Sequence, residues 1–232
     1  MMGVDTTTKT ASAAVMDFDS CKILAQIWSR GQISHSENLM PMIDYAIKCA
    51  GVEIIDIGLF AVAHGPGSFT GIRIGIATIK GLAFGAEADN CIGISSLCAL
   101  AHNFYGIDSG ILILPTIDAR RKQVYNAVFD NLAYVKSDRI ITVGELESEL
   151  NLEFADRKIA FVGDGAAMCY DEIDFGGKVQ IPDMLKNPCA ASLCLAAREK
   201  YKKGGATHPR ALAPAYLIQT QAEREYNEHG KT

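Results

Sequence analysis

Two stretches carry residue types suited to holding an anion. Asp5-Thr6-Thr7-Thr8 sets one acid and a row of hydroxyls at the end of a short apolar run. Gly65-Pro66-Gly67-Ser68-Phe69-Thr70-Gly71 sets glycines and hydroxyls between an apolar run and a long helical pattern. Glycine reaches backbone angles that other residues avoid. A glycine turn that opens a helix offers unpaired N–H groups and the positive end of the helix dipole to a phosphate or carboxylate. Asp5, Thr7, Gly65, Gly67 and Ser68 are the anion or nucleotide candidates on this reasoning. The bland reading is equally available for the glycines, because such turns commonly precede helices. For residues 5–8 it is the stronger reading, since Asp and Thr are ordinary turn formers.

The glycine stretch misses each loop with known chemistry. No lysine follows Gly71, as a P-loop requires. The third glycine falls one place late for a dinucleotide fingerprint, and no acid closes the next strand, which ends Ile94-Ser95-Ser96. Pro66 and Thr70 stand where a nucleophile elbow needs glycines around Ser68. The histidines do not cluster: His35 has Glu37 nearby, His64 and His102 stand alone, and His208 and His229 lie near the C-terminus. A metal site needs several convergent ligands, so structural or surface roles suit them better. The turns at 118–122 and 163–165 are charged and read as solvated loops. No nucleophile–base pair or zinc motif supports a peptidase.

These residues need elements to position them. Residues 1–4, 11–18 and 23–28 read as a three-strand antiparallel meander. A helix over 36–50 follows, capped by Ser36 and stopped at Gly51, with Pro41 bending it or marking a later start. Then come a buried strand at 59–63, the glycine turn, a helix over 71–85 capped by Ser68 or Thr70, a strand at 91–94 and a helix from 96 to about 104. After a link at 106–110 the grammar restarts: strands at 111–117, 123–129 and 133–143, a helix at 144–150, a strand at 159–162 and a helix at 190–203. Antiparallel strands ahead of α/β crossovers predict mixed sheets in an α/β fold. The expected division is an N-terminal lobe over 1–105, a C-terminal lobe over 106–205 and an extension over 206–232 that orders only if docked.

Helices 36–50 and 71–85 look too apolar for a free surface. In 71–85 the main polar residues are Arg73, Thr78 and Lys80, and glycines recur four apart at Gly71/Gly75 and Gly81/Gly85. An uncovered apolar stripe of this kind marks an interface.

Composition narrows the rest. The 232 residues, 49% apolar and 21% charged, fit an ordinary globular protein. A net charge of −5 argues against binding nucleic acid alone, which needs a basic face. The seven cysteines are odd in number, scattered and without a Cys-x-x-Cys pair, as expected of buried thiols in a reducing compartment. No signal peptide opens the chain and no uncharged run reaches membrane-spanning length. The expectation is a cytoplasmic protein with no membrane partner.

His64-Gly65-Pro66-Gly67-Ser68-Phe69-Thr70-Gly71-Ile72-Arg73-Ile74-Gly75, with Lys80-Gly81-Leu82-Ala83, resembles the signature of the bacterial TsaB (YeaZ) family. Asp5-Thr6-Thr7, His35-Ser36-Glu37-Asn38-Leu39-Met40-Pro41, Ser95-Ser96-Leu97, Asp118-Ala119-Arg120-Arg121 with Val124-Tyr125, Gly163-Asp164-Gly165 and Pro214-x-Tyr216-Leu217 follow in the family's order. The resemblance covers nearly the whole chain. It departs at Tyr216-Leu217-Ile218, where the family has Tyr-Leu-Arg, and at Asp-Thr-Thr for Asp-Thr-Ser.

The resemblance implies a two-lobed actin/Hsp70/sugar-kinase-like (ASKHA) fold. It implies a role in making N6-threonylcarbamoyladenosine at position 37 of tRNA, as a catalytically silent relative of the metal-dependent transferase TsaD, whose His-x-x-x-His pair this sequence lacks. The implied partners are a TsaD-like transferase and a TsaE-like ATPase, with TsaC supplying the activated threonylcarbamoyl group. A homodimer is expected when the partner is absent, and tRNA contact only through the complex. No cofactor is expected beyond a nucleotide at or near the partner interface. The expected docking residues on the two helices are Leu39, Met42, Ile43, Ala46, Arg73, Ile76, Ile79, Lys80 and Phe84. The alternative is a free-standing ATP-dependent kinase or hydrolase of the same fold, using Asp5, Thr7 and the glycine turn on phosphates.

Overall fold

Strands β1 (Met2–Asp5) and β2 (Ala11–Met16) are buried at every position, as strands covered on both faces must be. They form the middle of a five-stranded sheet in the computed structural model, which describes residues 1–31, 34–107 and 110–217. The sheet runs β3-β2-β1-β4-β5, with β3 (Ile23–Ser29) on the free edge of the meander. Strands β4 (Phe60–Gly65) and β5 (Cys91–Ser95) join in parallel beside β1. A second sheet of four strands runs β8-β7-β6-β9. In it β6 (Ile111–Arg120), β7 (Gln123–Asp130) and β8 (Ala133–Thr142) form an antiparallel meander, and β9 (Lys158–Val162) lies parallel to β6. The order of the second sheet repeats the first four strands of the first, β3-β2-β1-β4, with no counterpart of β5, so the duplicated grammar is a duplicated topology. The fold is the expected α/β, two-lobed ASKHA-like one.

Helices α1 (His35–Ala50) and α2 (Phe69–Gly85) cover one face of the first sheet. Ile43, Ile72 and Ile79 are completely enclosed there, and each such side chain contributes about 1.5–3 kcal/mol through burial. Helix α1 begins at His35, not after Ser36. Ser34 takes the N-cap position without a side-chain bond. Pro41 stays inside the helix, so it does not mark a later start. Gly51 closes α1 in the left-handed conformation, its N–H reaching the carbonyl of Lys48, as the C-cap rule expects.

Chain order does not follow the layers. Helix α6 (Ala190–Lys202) lies far along the sequence, yet Leu193, Cys194 and Ala197 pack on Ala14, Ala61 and Ile92 of the first sheet. Gly3 makes the approach close: a Cβ there would stand 2.6 Å from the Cys194 sulfur. Helix α3 (Ser96–Ala101), continued by a 3-10 turn over His102–Phe104, carries Leu97 and Leu100 onto the second sheet and Ala99 onto the α6 side of the first. Helices α4 (Val143–Glu153) and α5 (Ala166–Glu172) cover the outer face of the second sheet; the sequence reading did not anticipate α5. Among the described residues no helix is long and apolar enough to cross a membrane.

Candidate docking face and glycine turn

The two anion candidates meet, but they fill each other. Ser68 caps α2 as expected, its Oγ accepting from the Gly71 N–H at 3.2 Å. The Ser68 N–H donates to the Thr7 carbonyl at 2.7 Å. Thr6 Oγ1 donates to the Gly71 carbonyl at 2.7 Å. A Cβ on Gly67 or Gly71 would run into the backbone carbonyl of Thr7 or Thr6, and one on Gly75 would meet Thr6 Oγ1 at 2.7 Å. The glycines let α2 lie directly against the β1–β2 turn. Gly67 holds φ at 151°, a conformation that strains any residue with a side chain. Gly65 does the same for another segment, since its Cβ position faces the carbonyl of Ala215 at 2.5 Å. The amides that an anion would need at Ser68 and Gly71 are already bonded within the chain.

Asp5 and Thr7 sit beneath this turn. The Thr7 N–H and hydroxyl both donate to Asp5 Oδ1, at 2.9 and 2.7 Å. Asp5 is fully buried, and Oδ2 has no hydrogen-bond partner among the described residues. Burial pushes its carboxyl above the usual range, against the opposing effect of the Thr7 bonds and nearby His35.

The docking candidates divide sharply. Leu39, Met42, Ile43, Ala46, Ile76 and Ile79 are buried in their own domain's core and offer little surface in the free chain. The outer side of α1 is also less apolar than the sequence reading held. It presents Glu37, Met40, Asp44, Tyr45 and Lys48, with Lys48 and Asp44 paired at 2.7 Å. Arg73, Lys80 and Phe84 do reach the surface of α2. They share that face with Ala77, Gly81 and Gly85, which are exposed, and among the described residues nothing stands within 4 Å of a Cβ built on Gly81 or Gly85. The periodicity could have found this split. Ile72, Ile76, Ile79 and Ala83 point in, and the set shifted by one residue, Arg73, Ala77, Lys80 and Phe84, points out.

Each of the three surfacing candidates meets the C-terminal extension. Arg73 Nε donates to the Tyr216 hydroxyl at 3.1 Å, Lys80 Nζ reaches the Arg210 carbonyl at 3.4 Å, and the Phe84 ring lies 6.1 Å from that of His208. Tyr216 stacks on Phe69 at 4.9 Å, and the Arg73 guanidinium lies 3.9 Å from the same Phe69 ring. The Thr207 N–H donates to the Cys91 carbonyl and the Ala215 N–H to that of His64, each at 2.8 Å. The described part of the extension, up to residue 217, is thus a docked strap along one flank of α2. Ile218 and His229 lie outside the described residues.

Other polar groups are structural. Ser95 caps α3 by accepting from Leu97 and Cys98, and donates to Asp138 Oδ2 at 2.5 Å. Burial raises the Asp138 carboxyl, with Ser95 and Tyr134 opposing. His102 Nδ1 lies 3.7 Å from the Cys98 sulfur, but burial pushes that thiol up to about 11, so it stays protonated. Burial holds His64 below the usual imidazole range, with Lys200 adding to the effect. All seven cysteines are free; Cys91, Cys169 and Cys194 are buried, whereas Cys49 is exposed. Among the described residues no three His, Cys, Asp or Glu side chains are grouped as metal ligands would be.

Residues 27–226 match the family described as TsaD, tRNA N6-adenosine threonylcarbamoyltransferase. The chain is 33% identical to the tRNA threonylcarbamoyladenosine biosynthesis protein TsaB of Escherichia coli over 56% of its own length and 54% of that protein's. It is 29% identical to TsaB of Bacillus subtilis over 100% of its length and 99% of that relative's. The match thus spans about half of the E. coli protein and nearly all of the B. subtilis one. Among solved structures, YeaZ from Pseudomonas aeruginosa superposes with a TM-score of 0.78 at 23% identity, covering 93% of this chain and 98% of that one. An inorganic polyphosphate/ATP-glucomannokinase from Arthrobacter superposes with a TM-score of 0.52 at 10% identity over 86% of this chain and 98% of the kinase. Both structural likenesses concern the fold alone.

Proposed function

Because the chain belongs to the TsaB (YeaZ) family, within the wider family of the threonylcarbamoyltransferase TsaD, we propose that it serves tRNA N6-threonylcarbamoyladenosine synthesis as a non-catalytic subunit that holds a TsaD-like transferase. The observation that carries this reading is the outer face of α2. There Ala77, Gly81 and Gly85 leave the helix backbone open to a second helix, beside the strap that Arg73, Lys80 and Phe84 meet. Small residues four apart let two helices approach closely, and an apolar strip left uncovered on a soluble domain suits an interface. Arg73, Lys80 and Phe84 frame that strip, and the strap residue Tyr216 completes its rim.

The partner performs the transfer on this account. This chain lacks the transferase's His-x-x-x-His pair, and its own glycine turn is filled by Thr6 and Thr7. The same filling weakens the kinase or hydrolase alternative, which needs those amides for phosphates. A TsaE-like ATPase joins the assembled pair, and tRNA meets the complex rather than this acidic chain alone. The protein works in the cytoplasm, where that tRNA is. Mixing the chain with the TsaD-like subunit of the same organism tests the reading. A heterodimer by light scattering, and modification activity that requires both proteins, supports it; no complex, or full activity without this chain, refutes it.

A further inference from the structure

Strand β3 is an edge without the usual protection. Its residues Ile23 to Ser29 carry no charge and no proline, the two devices that most often keep a sheet edge from pairing. The other edges are treated differently. Cys91 of β5 is bridged to Thr207, Ile159 of β9 is bridged to Lys178, and β8 carries Lys136, Asp138 and Arg139.

The ladder shows which β3 groups are free. Met1 and Met16 exchange both backbone bonds, so Met16 of β2 faces β1, and Val15 and Ala13 face β3 by alternation. Their partners Ala25 and Ile27 therefore bond inward. The N–H and C=O of Gln26 and Trp28 point away from the sheet, and none of them has a hydrogen-bond partner among the described residues.

Two cavities flank this edge, one beside the outward-bonding Gln26 and Trp28 and one beside Leu24, where the pairing with β2 is bulged. One, of about 480 Å³, is lined by Gln26, Trp28, Met184, Leu185 and Pro188. The other, of about 350 Å³, is lined by Leu24 with Phe18, Leu59 and Tyr201. Leu24 and Trp28 are four residues apart, at most about 13 Å along a strand that is bulged at Leu24. Trp28 is the sole tryptophan and is 45% exposed; Met184 is 81% exposed. The acids Asp17 and Asp56 line the smaller cavity and Asp183 the larger, and among the described residues no lysine or arginine side chain lines either.

We infer that β3 receives an extended segment of a partner protein as a sixth strand, with bulky apolar side chains four apart in the two cavities and basic residues beside them. Free backbone groups call for an extended backbone, the spacing of the cavities sets the side-chain period, and the aspartates select the charge. This edge is separate from the α2 face, so the inference stands or falls independently of the docking proposal.

The probe is a blocked decapeptide with lysine at each end and two leucines four positions apart in a valine–threonine frame. Adding it to the full chain is expected to shift Trp28 emission to the blue and to slow amide exchange at Gln26 and Trp28, while Ala25 and Ile27 stay as they were. A version N-methylated on the pairing edge is expected not to bind. Met184→Lys, at a site too exposed to affect folding, is expected to weaken binding about tenfold or more, because it removes apolar lining and repels the basic ends of the probe. Absence of binding, or binding without protection of those two amides, overturns the inference. So does protection that appears without peptide and grows with protein concentration, because a second copy is then the occupant.

Discussion

Arg73 and Tyr216, 143 positions apart in sequence, are joined by a hydrogen bond of 3.1 Å, and both rest on the ring of Phe69. The Phe69 ring thus has the guanidinium on it at 3.9 Å and the phenol stacked against it at 4.9 Å. This stack ties the end of the described chain to the start of α2. Tyr216 supplies aromatic stacking of about 0.5–1.5 kcal/mol and a hydrogen bond of about 0.5–1.5 kcal/mol. Tyr216→Ala is therefore expected to cost about 1–3 kcal/mol and to speed amide exchange at Ala215, whose N–H is bonded to His64. Tyr216→Phe should keep the stacking and lose only the Arg73 bond. Urea midpoints and exchange rates of the two variants check this; equal losses would show that stacking contributes nothing.

The glycines of α2 should separate into two kinds. Gly71→Ala forces a methyl group into the Thr6 carbonyl, and such overpacking costs about 1–3 kcal/mol or more. Gly81→Ala meets open space and is expected to stabilise the helix by up to about 1 kcal/mol. Thermal unfolding of the two variants reads the difference directly. Loss of stability in both would mean that the outer face of α2 is covered in the free protein.

Burial raises the Asp5 carboxyl above its ordinary value of 3.8. From there up to its folded value the native state binds the extra proton, so stability falls as pH rises through that window. Above that window the raised carboxyl is a standing penalty on the folded state. Asp5→Asn keeps an acceptor for Thr7 and removes the charge. It is expected to be more stable than wild type at pH 7 and to converge with it below about pH 4. Denaturant titrations at both pH values test this; a variant that is less stable at pH 7 contradicts it.

Thiol reactivity should follow burial. Cys169 and Cys194 are pushed up to about 12 and Cys91 to about 11, all by burial, whereas Cys49 is exposed on α1. Thiolate is the reactive form, so an aromatic disulfide reagent at pH 8 is expected to label Cys49 rapidly and those three only on unfolding. Peptide mapping after brief labelling decides.

Much of the fold could be read from residue patterns, and the reasons are local. The continuous apolar runs of β1, β2 and β4 and the breaks at Gly51 and Gly65 belong to single elements. The role of α6 could not be read this way, because only Gly3, at the opposite end of the chain, shows how closely it approaches the first sheet. The apolar character of Leu39, Ile43, Ile76 and Ile79 was legible, but apolarity alone does not tell a domain's own core from a partner's. The one-residue shift to Arg73, Ala77, Lys80 and Phe84 carried that information. The glycine turn was recognisable as a turn, while its filling by Thr6 and Thr7 depended on contacts across the sheet.

The central claim is that the open strip of α2 holds the transferase subunit. Gly81→Glu adds a charged side chain where the free protein has room for it, so the variant should fold as wild type does. Light scattering of an equimolar mixture with the TsaD-like subunit is the direct measurement. The account predicts a heterodimer for the wild-type chain and two separate species for Gly81→Glu. A heterodimer of undiminished affinity with Gly81→Glu would contradict it.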